Sequence, residues 1–420
     1  MNKYLLTMLA LSVGAASFCH AAESSNVPAE SARYDLCSAL SDRFKLFDAK
    51  RDHADNPWIQ QARLKFRAQY QFGYLQPAGG SDRVAGAPDH ERRTNSEWRR
   101  FRIGAEAKVL RHFTLLANWN IGGLEARDTF SKGAWKQGRT SSEIDEIYLS
   151  GTFRPVTFTL GKHKPAFMGE YRTSSSKIIT IERSFLVNQL KAEKLYGLSF
   201  KNADKKARWG WEAGVWMNGS HDGMWMEPAF NSDSSAMFGA SLSYATGDHG
   251  RLYLDYMHSF ADWDKVSRAE EEGIAYDGTS AQDVVALTWE GKKDKLSFMV
   301  EAIGAFNLNM SEAENAFGLV LMPSYRISPH WEGVFRYQVA SGSNAIKSDS
   351  RYYTTNSTYK NGCDLTQAFY FGLNYYVCPK EPHAMKLMFG AEYLDSHGLT
   401  ASGQKGYTGW GFTTAARVNF

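Results

Sequence analysis

After its first two dozen residues this 420-residue chain has no apolar run approaching the roughly 20 residues that a membrane-spanning helix needs. Spanning by helices is thereby excluded. One-sided charge is also missing: 48 Lys and Arg against 45 Asp and Glu leave a net charge of +3 at pH 7, too slight for a nucleic-acid partner. There is no H-E-x-x-H, no G-x-S-x-G and no glycine loop of the kind that cradles phosphate, so no enzyme activity, metal or cofactor is expected. Eleven histidines are present, but His112, His163, His249 and His383 fall at expected strand ends or turns, where a solvated ring is the ordinary reading. Cysteine is scarce, with four in all.

What is abundant is aromatic residues, 14% of the chain, together with 36 glycines. A polar, aromatic-rich chain without spanning helices has the profile of a large β protein or an outer-membrane barrel. The opening "MNKYLLTMLALSVGAASFCHAAESS" has Lys3, an apolar stretch from Tyr4 to Ala16 and then small residues. That is the layout of a secretory signal peptide, expected to span residues 1–22.

Past residue 60, apolar and polar residues alternate with period 2. "RLKFRAQYQFGY" sets Leu64, Phe66, Ala68, Tyr70 and Phe72 on one face against Lys65, Arg67, Gln69 and Gln71 on the other. Sixteen such segments are read, near 63–75, 97–109, 112–122, 143–153, 155–164, 194–202, 207–217, 235–246, 250–261, 282–290, 294–306, 316–326, 331–341, 366–378, 384–396 and 408–420. Their connectors alternate between short turns, such as "TGDHG" and "GKKDK", and long loops. In hydrocarbon every backbone N–H and C=O must find a partner, so strands can span only as a closed sheet. The expected fold is all-β: a transmembrane antiparallel up-and-down β-barrel of 16 strands, lipid-facing outside and polar within. A soluble β-sandwich is the competing fold, and it would favour shorter, more even loops. The domain reading is a signal peptide at 1–22, a periplasmic segment at 23–62 and a barrel at 63–420.

An ordered block of motifs narrows this further. "WRRFRIGAEAKV" (98–109), "EIDEIYLSG" (143–151) and "LGKHKPAFMGEYRTSSSKIITIERSFLVN" (160–188) together resemble the phosphate-selective porins O and P. The resemblance is close from about 97 to 202 and implies a trimeric 16-stranded channel of the bacterial outer membrane. It further implies that residues 165–193 form a constriction loop folded into the pore, and that Phe420 serves as the signal read by the outer-membrane assembly machinery. Carried over on matching motifs, the anion-binding positions are Arg99, Arg100, Asp145 and Lys177.

Alternation by itself directs Arg100, Arg102, Glu106 and Lys108 into the lumen, along with Lys65, Arg67, Arg208, Arg336, Lys386 and Arg417. Guanidinium and ammonium groups there would replace the water an entering anion sheds. Strict alternation sends Arg99 and Asp145 outward, unless a bulge redirects them. Glu182 and Arg183 read as anchors of the inserted loop, and Tyr171 and Tyr407 as packing. The expected partners are small anionic solutes and the lipid bilayer. The alternatives are an oligosaccharide channel that uses Tyr370, Tyr376 and Trp216 as a stacking path, a weakly selective general porin, and a non-conducting structural barrel.

Two further expectations concern the ends of the barrel. Cys363 falls in a long loop and Cys378 at the opposite end of the next expected strand, roughly 45 Å away, so the two cannot pair. Cys37 and Cys378 share the periplasmic side, where they could form a disulfide. Leu36, Leu40, Phe44 and Phe47 recur at helical spacing, which suggests a short amphipathic helix that plugs or merely tethers the mouth.

Overall fold

A strand that is apolar on one face only must hide its backbone in a ladder and show its apolar face to lipid or to a core. The computed structural model shows how this chain satisfies both demands. It describes residues 36–50, 56–78, 93–121, 142–204, 206–218, 235–261, 278–308, 314–347, 362–397 and 408–420, with short pieces at 130–131, 134–135, 220–221 and 275–276. The expected signal peptide, Tyr407 and much of each long connector lie outside the described residues.

A helix α1 (Leu36–Arg43) and a short strand β1 (Lys45–Asp48) precede the main strands. These are β2 (Ile59–Pro77), β3 (Arg93–Val109), β4 (Phe113–Ile121), β5 (Ser142–Phe153), β6 (Val156–His163), β7 (Leu195–Asn202), β8 (Trp209–Asn218) and β9 (Ser235–Ala245). They continue with β10 (Gly250–Ser259), β11 (Ala281–Lys293), β12 (Leu296–Leu308), β13 (Asn315–Arg326), β14 (Trp331–Lys347), β15 (Gly362–Tyr376), β16 (Met385–His397) and β17 (Gly409–Asn419). Each pairs antiparallel with the next, and β2 also pairs with β17 from Arg67↔Asn419 to Pro77↔Gly409, which closes a 16-strand barrel. Closure leaves no sheet edge. The strands match the sixteen read from sequence, although β2 starts at Ile59 rather than 63, and Cys363 lies inside β15 rather than in the preceding loop.

Outward parity carries the large apolar side chains that remain exposed, among them Leu64, Ile103, Leu115, Leu160, Trp211, Val215, Leu254, Leu287, Phe317, Phe371 and Phe412. A belt of this extent around every quarter of a barrel is a lipid-facing surface. Arg208 departs from its sequence assignment. It stands exposed in the turn before β8, and its Nε donates to the Tyr244 hydroxyl at 3.0 Å, away from the lumen. Alternation could not place it because it lies outside the strand.

The seam between β2 and β17 is extended by the N-terminal segment. Phe66 and Phe420 exchange two backbone hydrogen bonds of 2.9 Å, and just beyond them β1 takes over as the partner of β2, with Lys45↔Arg63 and Asp48↔Gln61. The Phe44 ring stacks 5.4 Å from that of Phe420. Cys37 and Cys378 are joined in a disulfide, with Cα atoms 6.1 Å apart. Helix α1 therefore ends before Phe44, and Phe47 sits in β1 rather than on the helix. Ladder pairing with β2 outcompetes the helical spacing, and the segment is a tether along the seam.

Between β6 and β7 the chain does not return directly. Residues 164–194 form two short helices, α2 (Gly169–Arg172) and α3 (Phe185–Leu190), and most of this segment is buried, with Lys177 and Glu193 its exposed residues. Two inward-facing glycines make room for it. A Cβ at Gly239 in β9 would overlap the Phe167 ring, and one at Gly318 in β13 would overlap Leu186.

Candidate functional site

The inserted segment is held from all around the barrel by inward side chains. On one side, the Asp255 carboxylate of β10 accepts from Met168 N at 2.9 Å and from Arg172 Nη2 at 2.6 Å, while Glu301 of β12 accepts from the backbone N–H groups of Gly169 and Glu170. On the other, Arg336 of β14 pairs with Glu170 at 3.1 Å and Glu392 at 3.0 Å, and donates to the Glu182 carbonyl at 2.9 Å. Lys386 and Arg417 donate to the carbonyls of Ile178 and Ile181. A buried segment without ladder partners needs each of these bonds. The lumen cations Arg336, Lys386 and Arg417 thus hold the backbone of the segment, a role that alternation alone does not reveal.

The remaining cations gather where β2, β3 and β5 face the segment. Arg67 donates to Ser175 Oγ at 2.8 Å, Arg100 to Gln69 Oε1 at 2.8 Å, and Arg99 to Glu182 Oε1 at 2.8 Å. Arg102 pairs with Asp145 at 2.9 Å, and Lys194 reaches both Asp145 and, at 3.6 Å, Glu146. Among the described residues, Arg102 Nε is a buried donor that meets no acceptor. Arg183 donates to the Glu170 carbonyl at 3.0 Å and the Thr173 carbonyl at 2.9 Å. Tyr171 is the bed for these charges, with Lys164 at 4.2 Å and Arg183 at 5.2 Å from its ring centroid.

Strict alternation fails at two positions here, for one reason. The β2–β3 register passes from Gln69↔Arg100 to Tyr70↔Trp98, leaving Arg99 as an extra residue. The β4–β5 register passes from Asn118↔Glu146 to Trp119↔Ile144, leaving Asp145 as another. Each is a β-bulge, which turns two consecutive side chains to the same face. Arg99 with Arg100, and Asp145 with Glu146, consequently point inward together.

Lys177 is not part of this group. It is exposed, and with Arg251, Tyr253, Glu290, Lys292, Met299 and Met322 it lines a cavity of about 410 Å³ between the segment and the β10–β13 wall. Its neighbours on the turn side include His383, whose imidazole is brought down to about 4 by burial, then by Lys386 and Lys177. The aromatics suggested as a sugar path are covered instead: Trp216 and Tyr376 are 0% exposed and Tyr370 is 3% exposed. Trp216 packs on Phe167 of the segment at 5.6 Å, and Tyr376 donates to Glu332. Residues that the sequence reading missed are Gln69, Gln71, Lys164 and Lys194. The two lysines end the expected strands 155–164 and 194–202, but the ladders stop at His163 and resume at Leu195, so alternation does not set their direction.

Burial and neighbouring charge shift several groups of the segment, and two of them bear on its charge. Burial raises the Glu182 carboxyl, but Arg99 and Arg100 outweigh it and hold the group well below the usual carboxylate range. That stabilisation is present above the ordinary carboxylate pKa and is lost as pH falls towards the depressed one. Burial, followed by the nearby Arg102, pulls the Lys194 ammonium down to about 8 despite Asp145. Its charge is therefore full at pH 6 and lost as pH rises through 8. Any cation-dependent anion preference is expected to fall between pH 7 and pH 9, with the fall absent in a Lys194→Arg variant. Reversal potentials measured at both pH values check this.

A closed ring of strands, oily outside and charged within, is an outer-membrane β-barrel of the porin fold. Within that class, residues 65–233 match the sequence model of the phosphate-selective porin O and P family, a stretch that contains both bulges and the inserted segment. No curated protein matches by sequence. Among solved structures, the chain is similar to the Salmonella typhi OmpF complex with daunomycin (12% identity, 86% of this chain and 98% of that one, TM-score 0.56). It is also similar to Pseudomonas putida OprB at high pH (10%, 86% and 94%, 0.54) and to an anion-selective porin from Comamonas acidovorans (11%, 86% and 99%, 0.52). At these identities the likeness is one of fold.

Proposed function

We propose that this outer-membrane channel passes small anions, phosphate among them, by passive diffusion past the inserted segment, which acts as the constriction. The observation that carries this reading is the excess of cations over carboxylates where Arg67, Arg99, Arg100, Arg102, Arg183 and Lys194 surround Asp145, Glu146 and Glu182. An anion entering there exchanges water for planar guanidinium donors. The neighbouring carboxylates keep the field from becoming a trap, because conduction needs release as well as capture. Lys177, Arg251 and Lys292 continue the cationic lining into the cavity on the turn side. A homotrimer, and Phe420 as the assembly signal, follow from the family resemblance.

Covered aromatics count against the sugar channel, because stacking needs an exposed ring face. The test is chloride current through the purified protein in a planar bilayer. Inorganic phosphate should block it reversibly, and an Arg100→Ala variant should relieve the block. Block by maltooligosaccharides with no effect of phosphate would reverse the reading.

A further inference from the structure

One carboxylate beside the cationic wall is exposed. Glu193, on the return to β7, has a side chain 56% exposed, while Lys191 beside it is 15% exposed and forms an ion pair with it. Lys191 is also 5.9 Å from the Tyr171 ring centroid, so the bed that holds Lys164 and Arg183 holds this ammonium too. The Arg99 and Lys194 charges act on the same carboxylate. Other carboxylates of the cluster have structural duties: Glu182 binds Arg99 and Gln71, and Asp145 binds Arg102 and Lys194. Glu193 instead faces water with an oxyanion held against an ammonium, which is the arrangement that an incoming solute oxyanion would make.

We propose that Glu193 is a resident counter-ion. Its carboxylate occupies a docking position on Lys191, within the field of Arg99 and Lys194, and a solute oxyanion, whether phosphate or an organic carboxylate, binds there by displacing it. This rests on the anion-channel reading and adds a residue that sets its affinity. A tethered competitor weakens capture, and it also supplies the group that refills the site when the solute departs. Both effects favour turnover over tight binding.

The experiment compares wild type, Glu193→Gln and Lys191→Gln in bilayers, with inorganic phosphate titrated against chloride current. One charge at contact distance in a wet lumen corresponds to roughly five-fold in affinity. Glu193→Gln should therefore tighten phosphate block by about that factor and prolong each block, whereas Lys191→Gln should weaken it. Both substitutions break the same ion pair, so a purely structural role for the pair would move the two variants in the same direction, and that result overturns the proposal. So does an unchanged Glu193→Gln in a channel whose wild type is blocked by phosphate. A wild type with neither phosphate block nor anion preference would instead bring down the anion-channel reading itself. Heat-modifiable migration of each variant establishes that the barrel has assembled.

Discussion

Replacing Arg336 by methionine is expected to unseat the inserted segment and raise single-channel conductance, with frequent substates, while leaving the barrel folded. Arg336 is 2% exposed and ties three points together: Glu170 and the Glu182 carbonyl on the segment, and Glu392 on β16. Methionine keeps much of the volume but leaves Glu170, itself 3% exposed, without its guanidinium. Removing one partner of a buried pair typically costs about 3–5 kcal/mol. That loss falls on the segment, because the β14 ladder to β13 and β15 does not use the side chain. Thermal unfolding of the barrel should change little while conductance rises. A variant with wild-type conductance and quiet traces would mean that the segment is held without Arg336.

The second large effect is on selectivity. Arg102→Gln removes a charge from the centre of the cationic wall, and it also leaves Asp145, 5% exposed at its side chain, with Lys194 as its remaining ion-pair partner. A unit charge about 4 Å from a permeating ion is worth roughly 1 kcal/mol in water and more in a confined lumen. The anion-to-cation permeability ratio should fall by at least about five-fold. Substituting Lys65, which pairs with Glu106 at 3.5 Å close to the turn side, should change it much less.

The barrel was legible in the sequence because lipid enforces period 2 along every strand, so Leu64, Ile103 and Phe412 announced the outward face without help from tertiary contacts. The disulfide partners followed from the same topology, since Cys37 and Cys378 fall on one end of it. Alternation lost its grip where the chain breaks register. Arg99 and Asp145 sit at bulges, and a bulge is a property of the pairing between two strands that neither sequence shows by itself. The inserted segment posed a different difficulty. Its residue types marked it as a non-strand, but its partners on β10, β12 and β14–β17 lie far along the chain. That is why Arg336, Lys386 and Arg417 read as pore cations when they serve as backbone donors. Lys177 was grouped with Arg99 and Arg100 by motif, whereas the fold sends it across the segment to the β10–β13 cavity. The suggested aromatic path failed because the segment lies against Trp216 and Tyr370, while Tyr376 is enclosed by Glu332, Arg326 and His383.

The claim on which the account turns is that the cationic wall beside the inserted segment governs which ions pass. The zero-current potential of the wild-type channel in a potassium chloride gradient at pH 6, where Lys194 is charged, tests it most directly. A cationic wall in control gives a potential on the chloride side of zero, shrinking in Arg102→Gln. A potential on the potassium side, or one at zero in a conducting channel, would contradict it.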